Sequence, residues 1–494
     1  MLNLLYLLCS LASIAQTCKV SGKVNDLSIR ELHLYLLEGD TYFTAPSAKW
    51  PVAANGSFRQ QVSVNYPVFA ILKAGNRQQR LLLSPGRDLQ LIIDSGLQQP
   101  IVIKGKGAIE NELVRNSILD NSPSFIKRTW TAEELTTANW QSTIIQPLEQ
   151  DIQSTTLRIQ EAGIPTRLQQ ILTSELCYAY QCYLNDFTAG QLRWSKHPNS
   201  LQLLDLAMQW KPLPDSQALV SGFFANMVLD RQARYAAQSV AGKKSDGKKA
   251  TDAIAEYLQL PFTTIDSLVR NYGERCVLGW LYTRLYMPAP IRDKIVYNHI
   301  LNAANEGSYK TCTYLFNIMQ EYYPNSHYLA KANAVMQEVN VAIQSNAANT
   351  HIVFKDASNI RSLSELVAPY KGKIVYLDIW GTWCGPCKEE MPYVPELKKR
   401  YAGKDIVFVY LDMDKASKEN SWKEYVQFTG LEGEHYRMDQ AAIENIWQAI
   451  KAAGGEINSY PTFVLIDRDG KIIHPNAARP GSRQKLYDQL DKVL

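Results

Sequence analysis

Among eight cysteines, only Cys384-Gly385-Pro386-Cys387 has a spacing that carries a chemical motif of its own. Two thiols three residues apart on a helical turn can close into a disulfide and reopen by attack of a thiolate on sulfur. An unperturbed cysteine, with a pKa of about 8.5, is mostly the unreactive thiol at neutral pH. The neighbouring residues supply the remedy. Ile374 to Trp380 is almost continuously apolar, as a strand buried on both faces is, and a helix is predicted directly after the motif. Cys384 then stands where strand gives way to helix, with unpaired N–H groups and the positive end of the helix dipole directed at its sulfur. Pro386 suits the first helical turn, where its missing N–H costs nothing. Cys384 is the predicted attacking thiol and Cys387 the thiol that resolves the mixed disulfide. A zinc site would need two further Cys or His ligands, and downstream stand only the isolated His435 and His474. A purely structural bridge requires neither the strand-then-helix setting nor the flanking Trp383.

The elements that must position this pair occupy the last part of the chain, predicted as a domain over 346–494. Strands are expected at IVFKD, IVYLDIW, IVFVYLD, HYRMD, TFVLID and KIIHP, with helices between them, an alternation that implies an α/β sheet. From 108 to 345, apolar residues recur three and four apart, and breaks at Pro123, Pro165, Pro212, Pro214, Pro288 and Pro290 divide a helical region. From 16 to 107, short alternating or β-branched runs are punctuated by turn residues, which predicts an all-β meander with a tight hairpin at Asn55-Gly56. No catalytic constellation stands out in the β-rich segment. The aromatic residues of the helical one read as core.

A chain of 494 residues exceeds what one hydrophobic core serves, and 46% hydrophobic with 20% charged residues suffices for several. The net charge of +4 predicts neither a nucleic-acid stripe nor a polybasic membrane patch, since the cluster from Lys243 to Lys249 is interrupted by Ser, Asp and Gly. Residues 1–15, MLNLLYLLCSLASIA, form an apolar run ending in a small-x-small pattern and read as a secretory signal, although no Lys or Arg precedes the run. An uncleaved anchor and a cytosolic chain are the other readings. The cysteines Cys177, Cys182, Cys276 and Cys312 read as small buried hydrophobes.

The stretch IVYLDIWGTWCGPCKEEMP, followed far downstream by Tyr460-Pro461-Thr462, resembles the thioredoxin superfamily and in particular its TlpA-like and ResA-like extracytoplasmic thiol-disulfide reductases. The resemblance covers roughly residues 350–494. More weakly, the β-rich start and helical middle are similar to a multidomain architecture of exported TlpA-like proteins of Gram-negative bacteria. The resemblance implies a carboxy-terminal thioredoxin fold with a central insertion, since 73 residues separate Cys387 from Pro461. It matches Asp378 to the buried carboxylate that accepts the proton of the resolving thiol, burial supplying the raised pKa such a base needs. The lysine that neighbours this acid in thioredoxin is replaced here by Tyr410. Glu390 matches an acidic residue near the active site of ResA-like proteins and reads equally as a helix-surface charge. Pro461 matches a cis proline facing the cysteine pair, with Tyr460 beside it; Trp383, Gly385 and Pro386 complete the set expected to meet substrate.

No cofactor beyond the redox-active Cys384–Cys387 disulfide and no metal is implied. The expected partners are protein thiols and disulfides in the periplasm and a membrane-borne electron donor. Cytochrome c maturation and repair of wrong disulfides are the tasks that fit. The Gly-Pro dipeptide favours a reductase, as thioredoxin itself lies near about −270 mV. A peroxidase would carry Thr three residues before its reactive cysteine, where Gly381 stands. A partner- or ligand-binding protein with an accessory redox domain is the alternative from a different class.

Overall fold

The computed structural model describes residues 17–37, 48–94, 101–210, 216–224, 229–242 and 249–494. The expected signal at 1–15, Pro212, Pro214 and the cluster 243–248 lie outside the described residues. The chain divides into two compact units, the first comprising 1–40, 46–269 and 277–295, the second 41–45, 270–276 and 296–494.

The first unit opens with eight strands: β1 Thr17–Val24, β2 Glu31–Leu36, β3 Ala48–Pro51, β4 Ser57–Ser63, β5 Val68–Ala74, β6 Arg77–Leu83, β7 Asp88–Ile93 and β8 Val102–Lys104. They form two sheets, β4-β1-β7-β8 and β3-β2-β5-β6. Alternating residues of both, such as Val20 and Leu91 from one and Leu34, Leu72 and Leu81 from the other, share one apolar core. This corrects the meander expected from the sequence, because β1 pairs in parallel with the distant β7. The Asn55-Gly56 turn also differs from the predicted hairpin. Gly56 takes φ +83° and the Ser57 N–H donates to Asn55 Oδ1 at 3.0 Å, but β3 pairs with β2 and β4 with β1. The turn is a corner between sheets, where Trp50 and Phe58 both face the shared core with rings 6.4 Å apart.

The middle of the chain is helical, as its periodicity predicts. Pro165 precedes the helix Thr166–Asp186, and Pro288 separates Glu274–Tyr286 from Ala289–Asn305. Cys182, Cys276 and Cys312 are buried and Cys177 is half-buried. Burial pushes the Cys312 thiol up to about 12, as it does Cys18 to about 11.

The second unit is built on six further strands: β9 Ile352–Phe354, β10 Ile374–Trp380, β11 Ile406–Asp412, β12 Gly433–Arg437, β13 Thr462–Ile466 and β14 Ile472–His474. Their order is β14-β13-β10-β11-β12-β9, with β9 to β12 parallel and β13 antiparallel to β10. Every residue of β10 is buried. Val375, Leu377 and Ile379 pack on one face with the helices Leu363–Val367 and Glu444–Ala452. The strand period of two sends Tyr376, Asp378 and Trp380 to the other face, where the helix after the CGPC motif lies. The helices Tyr309–Tyr322 and Tyr328–Ala347 belong to this unit and dock on the helix Glu419–Thr429. There the Lys310 N–H donates to Glu424 at 2.7 Å, and Asn346 Nδ2 donates to the Phe428 carbonyl at 3.4 Å.

Candidate active site at the CGPC motif

β10 delivers the chain to Gly381, where the Cys384 N–H bonds back to the Gly381 carbonyl at 2.9 Å and a helix starts at Gly385. Cys384 is the N-cap of that helix, Gly385–Glu390, with Pro386 in its first turn. Its Sγ accepts the Cys387 N–H at 3.1 Å. An N–H donor in that position is the kind of contact that the sequence leads one to expect at a sulfur placed at a helix start. The two sulfurs are joined as a disulfide, with Cα atoms 5.3 Å apart. Cys384 is 4% exposed and Cys387 is 1% exposed, so only Cys384 offers even an edge to an incoming sulfur.

The remaining residues predicted for the site distribute around this pair. Trp383 is 57% exposed, and the ring of Tyr460 meets it edge-on at 5.0 Å. Tyr460–Pro461 is a cis peptide. Because Ile379 pairs with Thr462, the register of β13 on β10 brings Pro461 to the end of β10 from which the motif departs. Gly385 is half-buried and Pro386 exposed. Asp378 lies inside the layer under the motif, and among the described residues its Oδ1 has no hydrogen-bond partner. Burial holds its carboxyl well above the usual range, and the Glu390 carboxylate adds to the shift. Glu390 is half-buried and accepts the Gly481 N–H at 2.6 Å. Burial raises it too, against the opposing pull of that N–H and of Arg479.

Tyr410 pairs in register with Asp378, in the place where the resemblance leads one to look for a lysine. A lysine does reach Tyr410 from elsewhere: Lys398, on the helix Val394–Arg400, sets its Nζ 5.1 Å from the ring centre. Burial lowers that amine to about 7. His435 stacks on Tyr410 at 4.8 Å and is held to about 3 by burial, so it is a neutral imidazole.

Two acids that the sequence reading passed over also belong here. Asp414 is 4% exposed, and its carboxylate accepts the Thr382 N–H at 2.8 Å and the Thr382 hydroxyl at 3.0 Å. The Met413 N–H bonds the Trp380 carbonyl at 2.9 Å, so the end of β11 grips both sides of the turn leading to Cys384. Asp412 is fully buried, and its Oδ2 accepts the Asp414 N–H at 3.1 Å. Burial and the adjacent Asp414 push Asp412 up to about 9. The signal available in the sequence was Asp412-Met413-Asp414 at the carboxyl end of an apolar strand, the end at which parallel sheets collect functional groups. The arrangement as a whole can exchange a dithiol for a disulfide: a surface-edge sulfur at a helix start, a buried second sulfur, and beneath them a carboxyl, Asp378, that burial raises above its usual range.

A thioredoxin-like family model matches residues 372–472. The thiol-disulfide oxidoreductase ResA of Bacillus thuringiensis subsp. konkukian is 35% identical over 124 residues, which are 25% of this chain and 65% of the relative. ResA of Geobacillus thermodenitrificans is 31% identical over 147 residues, 29% of this chain and 75% of the relative. The chain thus spans 65% of the length of the first of these curated relatives. A solution structure of a thiol:disulfide interchange protein from a Bacteroides species is 21% identical and covers 25% of this chain and 74% of its own, with a TM-score of 0.22.

Proposed function

Because the chain belongs, through its carboxy-terminal domain, to the thioredoxin-like family of ResA thiol-disulfide oxidoreductases, we propose that it reduces disulfides of exported proteins through Cys384 and Cys387. The observation that carries this reading is the Cys384–Cys387 disulfide at a helix start, with the Tyr460-Pro461 loop brought beside it by the pairing of β13 on β10. In the reduced protein the Cys384 thiolate attacks one sulfur of a substrate disulfide, forming a mixed disulfide and expelling the first substrate thiolate. The Cys387 thiol gives up its proton to Asp378 and its sulfur attacks Cys384, which expels the second substrate thiolate and closes the Cys384–Cys387 bond. Two electrons pass to the substrate, and its two thiolates take up two protons. A dithiol donor, membrane-borne if the protein works in the periplasm, returns the pair to the reduced state by the same exchange in reverse.

Asp378 suits the role because burial raises its carboxyl above the usual range, which makes it a stronger base than an exposed carboxylate. Burial sets how readily the proton taken from Cys387 is held, and the charge of Glu390 adds to it. Trp383 and Tyr460 give a substrate chain an aromatic surface next to the reacting sulfur, and the Pro461 loop offers it backbone groups. The apolar run at 1–15 supports export. Cytochrome c maturation and correction of wrong disulfides both consume such a reductase.

The deciding measurement is the equilibrium potential of the Cys384–Cys387 pair, titrated against glutathione or dithiothreitol, with Cys384→Ser as control. A value near about −270 mV is expected for a reductase, whereas one near about −120 mV would make the protein an oxidant. No reversible couple at all would sink the exchange reading.

A further inference from the structure

Next to the redox helix lies a cleft of about 990 Å³, large enough for a few residues of an extended chain. Every residue lining it belongs to the second unit. Thr382, Trp383, Gly385 and Lys388 contribute its redox side, and the segments 270–276 and 305–311, which join successive helices, contribute a wall. The six-stranded sheet is complete without that wall, so packing of the sheet does not by itself account for it.

The wall is built and fixed in place. Arg275 Nη1 pairs with Glu306 Oε1 at 2.8 Å, tying one segment to the other, and the Thr311 hydroxyl donates to the Tyr272 carbonyl at 2.9 Å. Gly307, at φ +68°, lies so close to Tyr425 that a Cβ there would come within 2.5 Å of the ring. The wall therefore abuts the element that also touches the redox helix, since Lys388 sets its Nζ 4.9 Å from the Tyr425 ring centre.

Charge indicates what the cleft accepts. Most of its acids are already engaged by the protein: Glu306 with Arg275, Glu424 with the Lys310 N–H at 2.7 Å, Asp414 with Thr382, and Asp439 with Arg437 at 2.8 Å. Glu274 remains, exposed in the first turn of its helix. Against it, Lys415 and Lys418 stand exposed on the rim, and Lys388 lies deeper, where burial lowers its amine. Glu424 and Asp414 keep their negative charge, since N–H and O–H donors do not cancel it. With Arg270, Arg275 and Lys310 also in the lining, however, the basic side chains outnumber the acids by one, and four exposed basic side chains stand against two exposed acids.

Resting on the exchange chemistry above, we propose that this cleft binds the polypeptide segment flanking a substrate's cysteine and favours segments that carry acidic side chains. Trp383 joins the two functions, because it both lines the cleft and adjoins Cys384 in the chain. A substrate held there presents its sulfur to Cys384 while its neighbouring carboxylates meet the lysines.

The test uses the reduced full-length protein and three peptides of equal length. Each has one cysteine blocked as the mixed disulfide with 2-thiopyridine and flanked by Glu, Gln or Lys. The Glu peptide is expected to be reduced about 5 to 20 times faster than the Lys peptide at low salt, the gap closing toward about twofold in about 0.5 M salt. In the double variant Lys415→Glu, Lys418→Glu that ratio is expected to collapse or invert. Equal rates for the three peptides, or a wild-type ratio in the double variant, would overturn the proposal while leaving the exchange reading intact. Failure to reduce any of the three would instead strike at the exchange reading itself.

Discussion

Asp378 and Asp412 are carboxyls buried under the same active-site turn, and burial makes each hold its proton well above the usual range. The roles proposed for them differ, and so do the expected outcomes of replacing them. For Asp378→Asn, formation of the mixed disulfide should proceed at close to the wild-type rate. Its resolution by Cys387 should slow by about 100-fold, since the thiol then lacks the proton acceptor proposed for it. Rapid-quench trapping of the mixed disulfide measures both steps, and an unchanged resolution rate would remove Asp378 from the mechanism. Asp412 is a test of stability. Its unfolded pKa is about 3.9 and its folded value about 9, so between these the native state binds the extra proton. The stability it contributes is complete below pH ~4 and is lost as pH rises toward ~9. Asp412→Asn removes that loss while its amide oxygen can still accept the Asp414 N–H. The variant should match the wild type near pH ~4 and gain on it steadily up to pH ~9 in urea titrations. A constant difference across that range would mean the carboxyl is not the titrating group.

The turn between β10 and the redox helix is held by β11, through Asp414 and the Met413 N–H. Asp414→Ala leaves the Thr382 N–H and hydroxyl without their acceptor, at a cost of about 1–3 kcal/mol, and should slow alkylation of reduced Cys384 as its loop loosens. Asp414→Asn retains an acceptor oxygen and should recover most of both losses. Equal effects from the two substitutions would show that charge, not the hydrogen bonds, matters there. In the β-sandwich the corner at Gly56 is the comparable point. Its φ of +83° excludes a side chain, and a Cβ would fall 2.1 Å from the Val24 carbonyl oxygen. Gly56→Ala should therefore destabilise the first unit by more than about 1 kcal/mol in chemical denaturation. The sequence marked this turn correctly by its Asn-Gly pair. It did not reveal that the flanking strands part into different sheets, because β3 and β4 alternate in the same way whether they pair with each other or with β2 and β1.

Two compact units in one chain predict that heat unfolding is not a single two-state event. Calorimetry of the full-length protein should give more than one transition, and only the one belonging to the second unit should shift when dithiothreitol opens the Cys384–Cys387 bond. One transition whose calorimetric and van't Hoff enthalpies agree would show instead that the units unfold together. At this scale the sequence by itself determined the order of elements. The period-two and helical patterns, the continuous apolar run of β10 and the CGPC motif at its end are local signals, each legible within about a dozen residues. They sufficed to name Cys384 and Cys387 and the family they resemble. Only the tertiary structure decided that β1 lies beside β7, that Asp414 reaches back to Thr382, that Lys398 reaches Tyr410, and that Arg275 and Glu306 stand in a wall beside the active-site turn. These contacts join residues 12 to about 70 positions apart in the chain. Many pairings at such separations satisfy the local pattern equally well, and the choice among them is made by how apolar faces close on one another and which buried polar groups then find partners.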